Sequence, residues 1–303
     1  MNQKITPSTV LLLVIPPFLW AGNAVLGRIV SDLVPPITLN FLRWAIALVI
    51  LLPIGYSVFR KGSGLWANRK RYALLGLLGI GLYNALQYMA LHTSTPINVT
   101  LVGASMPIWM LLVGLLFFGT RIAGWQLAGA ALSMTGVLVV LSHGQWQQLL
   151  TLRFVAGDVF MIVATIVWAF YSWLLVRGGE SGEIRSNWAT LLLAQISFGV
   201  LWSGAFSAGE WALTDAHIHW SWGLAAALLY FAVGPAIVAF RCWGAGVRRV
   251  GPTIAGFFSN LTPLFAAMMS SAFLGETPHP YHAVAFLFIV GGIVLSSRSR
   301  AVS

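Results

Sequence analysis

The chain has 303 residues, of which 58% are hydrophobic and 8% charged, with a formal net charge of +10 and a mean hydropathy of +0.85. Soluble domains carry about 25% charged residues, so a soluble enzyme or binding module is excluded, and the apolar length suffices for many membrane spans of about 20 residues each. The basic excess does not point to nucleic acid, because it is scattered through short gaps between apolar runs instead of clustering on one face. A single cysteine, Cys242, excludes an internal disulfide framework and a cysteine metal cluster.

The first segment, Lys4 followed by VLLLVIPPFLWAGNA, has the outline of a signal peptide. That reading is set aside below, because the segment has a partner inside the chain. Apolar runs long enough to cross a bilayer fall at 8–30, 36–59, 72–92, 97–119, 123–141, 156–177, 187–208, 221–243, 253–274 and 280–297. Each is expected to be helical, since only helices and closed barrels satisfy backbone groups in lipid, and no segment alternates as a barrel strand would. Ten is even, so both termini share a side. With the termini in the cytoplasm, Lys4, Arg60, Lys61, Arg69, Lys70, Arg71, Arg121, Arg177, Arg185, Arg248, Arg249, Arg298 and Arg300 lie in the termini or inner loops. Outer loops hold only Arg153, while Arg28, Arg43 and Arg241 fall within spans. Asp32, Asp158, Glu210, Asp215, Glu276 and the histidines fall outside. This bias fixes the expected orientation, both termini inside; the expected location is a bacterial inner (plasma) membrane.

A shift of 156 positions superimposes Pro96 on Pro252, Pro107 on Pro263, Gly119 on Gly275 and Gly136 on Gly292. With 31 glycines and 13 prolines in the chain, four such coincidences in one gap-free register are not expected by chance. A shift of 148 places Trp20-Ala21 on Trp168-Ala169. The chain therefore reads as a duplicated five-helix unit, residues 1–150 and 151–303. An odd number of spans per unit inserts the second copy upside down, and inverted repeats belong to transporters that alternate access around a midplane site. The expected fold is an all-α membrane protein of ten transmembrane helices, arranged as two inverted five-helix repeats around a central cavity. Pro96 and Pro252 fall at helix starts, where a missing N–H costs little. Pro107 and Pro263 lie further in and each frees a carbonyl, allowing a kink that serves as a hinge or simply shapes packing.

The duplicated unit, LWAGNAVLGR in the first span, PITLNFLRW in the second, proline-bearing fourth and ninth spans and FLGE at 273–276 together resemble the drug/metabolite transporter superfamily. The resemblance covers essentially the whole chain and is nearest to its EamA-type ten-helix exporters. Aromatic richness adds a resemblance to the aromatic amino acid exporters of the YddG type. What this implies is a ten-helix basket with a central cavity and efflux of amino acids, extending to flat aromatic xenobiotics. One departure is Gly119-Thr120 in the first copy against Gly275-Glu276 in the second, so a symmetric role for the glutamate is not expected.

Tryptophan concentrates at membrane interfaces, yet Trp20, Trp109 and Trp168 fall near the middle of their spans. Asn23, Tyr83, Gln87, Tyr171, Gln195, Tyr230 and Asn260 lie at similar depth. Trp20 with Asn23, and Trp168 with Tyr171, are three residues apart and share a helix face; Tyr83 and Gln87 are four apart. Polar groups at this depth belong inside the bundle, either lining a cavity or gluing helices together. An uncharged interior of rings and amides suits a neutral or zwitterionic substrate with a flat apolar side chain. Arg43, about 10 Å deep at 1.5 Å per residue, has no acidic residue in any helix core to pair with. It can take a substrate carboxylate, snorkel outward or bond backbone carbonyls near a kink.

No Asp or Glu falls in a helix core, so a carboxylate proton relay is not expected, and uncoupled or exchange transport is the simpler expectation. GLLGIG at 76–81 follows no strand and is no nucleotide loop; His217, His219, His279 and His282 lack metal-site neighbours. No cofactor and no metal are expected. The expected partners are a small-molecule amino acid substrate and the lipid bilayer, with the chain a monomer. An enzyme would need a clustered nucleophile, metal set or carboxylate pair, which the sequence does not offer. A sugar-phosphate or nucleotide-sugar exchanger of the same superfamily would need two or more deep basic residues, and only Arg43 is clearly deep.

Overall fold

A computed structural model describes residues 5–94, 96–150, 152–178, 184, 187–274 and 279–297. Lys4, Arg185, Gly275, Glu276, Arg298 and Arg300 lie outside the described residues. Within them the chain is helical and has no strand: α1 (Pro7–Ile29), α2 (Pro36–Gly55), α3 (Arg69–Thr93), α4 in two pieces (Pro96–Gly103 and Met106–Phe118), α5 (Gly124–Leu141), α6 (Ala156–Val176), α7 (Trp188–Leu213), α8 (Trp222–Phe258), α9 (Leu261–Leu274) and α10 (Pro280–Ser296). Eight helical segments are long and apolar enough to cross a membrane, and α10 is a shorter apolar helix.

Sequence chemistry accounts for the ends. Pro7, Pro36 and Pro280 open α1, α2 and α10 in the first turn, where the missing amide hydrogen has no intrahelical acceptor to serve. Thr6 and Ser221 accept from Thr9 N and Leu224 N as N-caps, and Asn187 accepts from Ala189 N. The surface is inverted relative to a soluble protein. Leu116, Phe117, Leu201, Leu287 and Val49 are exposed, while Asn40, Arg43, Ser133, Gln195 and Asn260 are buried. In a bilayer the exposed belt meets acyl chains, and the polar groups are kept from lipid.

Four helices depart from the expected continuous spans. α4 breaks at Ala104-Ser105, where Ser105 N bonds Val102 O three residues back, and Pro107 falls in the first turn of the piece that follows. The ninth expected span, 253–274, breaks in the same way: Asn260 N bonds Phe257 O, and Pro263 is the third residue of α9. The prolines thus follow complete breaks instead of bending one helix. α3 carries a π-helical segment at Leu77–Leu82, and α8 carries another at Ala232–Val238. α8 runs on past the expected end at 243; its 37 residues would span about 55 Å if straight, well over a hydrocarbon core of about 30 Å. The axis breaks at Gly251, with φ 84° and ψ 161°, a conformation essentially reserved to glycine.

The packing is paired. α2 lies along α7, and α5 along α10; α1 packs on the second part of α8 and on α9, as α6 packs on the second part of α3 and on α4. Contact between α5 and α10 is close enough that a Cβ on Gly129 would lie 2.8 Å from Gly292 O.

Candidate functional site: a central ring cluster beside a buried arginine

Trp168 of α6 is 1% exposed and is the hub of the molecule's aromatic centre. Its ring meets Tyr83 at 4.7 Å, Tyr171 at 4.9 Å, Trp20 at 5.3 Å, Phe240 at 5.3 Å and Trp243 at 5.6 Å, centroid to centroid. Four helices contribute: α1 gives Trp20, α3 Tyr83, α6 the Trp168/Tyr171 pair and α8 the Phe240/Trp243 pair. Both pairs are spaced i,i+3 and project from one face. Each ring pair is worth about 0.5–1.5 kcal/mol beyond burial, so the cluster is held in a defined geometry. Both π-helical segments immediately precede it. An extra residue per turn rotates everything downstream, and this aims Tyr83 and Phe240 inward. The π segment of α8 also supplies the Pro235 carbonyl, which accepts from Trp20 Nε1 at 3.4 Å.

Beside the rings lies a polar knot. Arg43 is 0% exposed. Its Nη1 donates to Tyr88 Oη at 2.9 Å, Asn23 Oδ1 at 3.1 Å and Asn84 Oδ1 at 3.2 Å; Tyr88 Oη in turn donates to Asn23 Oδ1 at 3.0 Å. The guanidinium carbon sits 5.3 Å from the Trp44 ring centroid. The arginine therefore reaches into side chains of α1 and α3, neither snorkelling outward nor bonding backbone carbonyls. In the second half, a related bridge joins α6 to α7: Tyr171 Oη donates to Gln195 Oε1 at 2.9 Å, and Gln195 Nε2 donates to Leu191 O at 3.0 Å. It borders a cavity of about 20 Å³, room for one water, that Arg241 and Arg248 also line.

Of the sequence candidates, the structure brings together Trp20, Asn23, Arg43, Tyr83, Trp168 and Tyr171. Tyr230 stands at their edge, its hydroxyl donating to Leu19 O at 3.1 Å. Three candidates lie apart. Trp109 donates to Ser105 Oγ one turn back at 3.0 Å, Asn260 Nδ2 donates to Ser133 Oγ of α5 at 2.9 Å, and Gln87 is half-buried, with Tyr88 in its place at the knot. Trp44, Asn84, Tyr88, Phe240 and Trp243 were not anticipated. Asn84 and Tyr88 are themselves i,i+4 in α3, a signal that was available; Trp243 was hidden because it falls at the expected end of its span.

A larger cleft, about 940 Å³, opens where the α1–α2 loop, the end of α3 and the end of α7 meet. Leu82, Ala85, Leu86 and Met89 of α3 form one wall, Phe206 and Glu210 of α7 another, with Asp32, Asp215 and His92 also lining it. Its wall residues Leu82 and Ala85 flank Tyr83 and Asn84 in sequence. Small-molecule sites run from about 300 to 1,000 Å³, so the cleft is of a size to admit a small molecule. Among the described residues, no group of three or more His, Cys, Asp or Glu is placed to hold a metal.

An all-helical bundle with an apolar exterior and buried amides and rings is an integral membrane protein. The chain belongs to the EamA-like transporter family, whose model matches residues 7–142 and again 155–298. It is 25% identical over 302 residues to an uncharacterized transporter of Archaeoglobus fulgidus, covering 99% of both chains. It is 23% identical over 286 residues to the aromatic amino acid exporter YddG of Ancylobacter novellus, covering 92% of this chain and 93% of that one. A solved crystal structure shares the fold at a TM-score of 0.72 and 22% identity, over 95% of this chain and 96% of the other. The family and its named relatives are transporters, so this chain is a transporter of small molecules and not an enzyme.

Proposed function

We propose that this transporter exports aromatic and other neutral amino acids, and flat aromatic xenobiotics, across a bacterial inner membrane, with both termini in the cytoplasm. The observation that carries the reading is the ring cluster around Trp168, walled by amides and hydroxyls and free of carboxylates among the described residues. Similarity to a protein named as an aromatic amino acid exporter supports it. The mechanism is alternating access between two inverted five-helix repeats, 1–150 and 151–303, acting as a monomer. Support comes from paired features: π segments at Leu77–Leu82 and Ala232–Val238, breaks ahead of Pro107 and Pro263, and mirrored helix contacts. Those breaks are the hinges, because a helix interrupted there bends without losing further hydrogen bonds. Trp20, Asn23, Arg43, Tyr83, Trp168, Tyr171 and Tyr230 line the substrate site; Gln87, Trp109 and Asn260 reach it as the pieces move.

The test is flux of labelled phenylalanine into proteoliposomes of the purified protein, with and without a pH gradient. Saturable flux that tryptophan blocks, and that the gradient leaves unchanged, is the expected result. Absence of phenylalanine flux with block of a phosphate counter-exchange by sugar phosphates would replace the reading with an exchanger.

A further inference from the structure

The hydrogen bonds of Arg43 are one-sided. Nη1 makes every bond the side chain has, to Asn23, Asn84 and Tyr88, while Nε and Nη2 have no partner although both are buried. Two neighbours are in the same condition: the Nδ2 of Asn84 and the Nε1 of Trp44 are buried without acceptors. All four atoms are donors, and they belong to Arg43 and to two side chains that it touches. Buried donors are normally paired, and a buried cation is normally neutralised. Here every hydrogen-bond partner of the guanidinium is uncharged, and only the Trp44 ring face offsets the positive charge.

The geometry of the unpaired atoms is specific. Nε–H and the adjacent Nη2–H form one edge of the planar guanidinium, with their hydrogens parallel. That edge matches the two oxygens of a carboxylate, which it takes in a bidentate pair. The bonds from Nη1 hold the opposite side of the group, so the free edge is oriented before anything binds. Asn23, which fixes Nη1, is one turn from Trp20, and Asn84 adjoins Tyr83. Arg43 also packs on Trp44, whose ring meets Phe240 of the ring cluster at 4.8 Å, so the guanidinium stands beside that cluster.

We propose that Arg43 presents a carboxylate-binding subsite, in which the Nε/Nη2 edge pairs with the acid group of the transported molecule while its apolar part lies against Trp20, Tyr83 and Trp168. The proposal rests on reading the ring cluster as the substrate site. It adds that a carboxylate is a recognised part of the substrate and that one cation, not two, receives it. Asn84 Nδ2 and Trp44 Nε1 supply further donors around the acid group. Asn23 and Tyr88 are positioning residues that set the guanidinium plane.

The test measures thermal stabilisation of the purified, detergent-solubilised protein by phenylacetate, by its neutral isostere phenylacetamide and by phenyl phosphate. It compares the wild type with Arg43→Lys and Arg43→Gln. Charge-assisted hydrogen bonds of this kind correspond to roughly a 10- to 100-fold difference in affinity. The wild type is expected to require that much less phenylacetate than phenylacetamide for the same stabilisation. Arg43→Gln is expected to abolish the preference, and Arg43→Lys, which keeps the charge and loses the fork, to remove most of it. Should the glutamine variant fail to fold, the lysine variant decides. Equal potency of acid and amide on the wild type, a preference unchanged in the variants, or phenyl phosphate outcompeting phenylacetate would each overturn the proposal. The readout needs no flux. Phenylalanine transport without an acid preference removes the subsite and leaves amino acid export standing. An Arg43-dependent acid preference without phenylalanine transport keeps the subsite and removes export of amino acids.

Discussion

The contact between α5 and α10 offers the most direct check on the packing. A Cβ added at Gly292 would lie 2.6 Å from Gly129 O, 2.8 Å from Ser133 Cβ and 2.9 Å from Ser133 N. Carbon atoms settle at about 3.5–4.0 Å, and two of the three obstacles are backbone, which cannot rotate away. Gly292→Ala must therefore push the helices apart by about 1 Å. A gap of 0.5–1 Å forfeits a quarter to a half of each contact's attraction; if the strip holds as many contacts as a buried leucine, 40–60 at 0.1–0.2 kcal/mol, the loss is about 1–6 kcal/mol. Overpacking usually costs about 1–3 kcal/mol, so a value near 2 kcal/mol is expected. At about 2.1 cal/mol/K of unfolding entropy per residue, this corresponds to a fall in Tm of about 3 °C for 303 residues. The assay is thermal unfolding of the purified protein in detergent, with Gly291→Ala as the comparison. At Gly291 the nearest obstacle is the movable end of Leu132, Cδ2 at 3.2 Å, and little change is expected. A Gly292→Ala protein as stable as Gly291→Ala would refute the close packing of these two helices.

Two further outcomes follow from named contacts. Glu210 of α7 accepts from Ile37 N at 3.0 Å and from Thr38 N and Thr38 Oγ1, both at 2.7 Å, capping α2 from across the cleft. Glu210→Ala is expected to cost about 2 kcal/mol, and Glu210→Gln, which keeps one acceptor oxygen, to cost less; Tm in detergent ranks the two. Trp168→Ala removes the hub of five ring contacts and is expected to destabilise by about 3–5 kcal/mol. Trp168→Phe should retain most of that stability while lowering the initial rate of phenylalanine flux, so a phenylalanine variant with wild-type flux would remove Trp168 from the site.

Much of the candidate site was legible from period and depth. Trp20 with Asn23, and Trp168 with Tyr171, share faces by their spacing alone, and a polar group at mid-span belongs in the interior. Arg43 stood out for the same reason, since a cation at that depth requires an explanation wherever it points. Gln87 and Tyr88 both follow the π segment in one regular helix, and the i,i+4 spacing of Asn84 and Tyr88 marks the face that meets Arg43. The π segment at Leu77–Leu82 rotates the rest of α3, and no residue type announces such a segment. Trp243 stands at the end of the apolar run that defined its span, and α8 continues past it to a break at Gly251.

Composition and hydropathy determined that this is a membrane-spanning helical protein, because lipid allows only helices or closed barrels and no segment alternates as a barrel strand would. Repeated prolines located the places where two helices break, because proline acts through its own backbone and needs no distant partner. Which rings meet at Trp168, which amides hold one side of Arg43, and that its other edge is left free were decided only by the tertiary structure. Those facts depend on the relative rotation of α1, α2, α3, α6 and α8. Local spacing sets which face of a helix a residue occupies, but packing against every other helix sets where that face points.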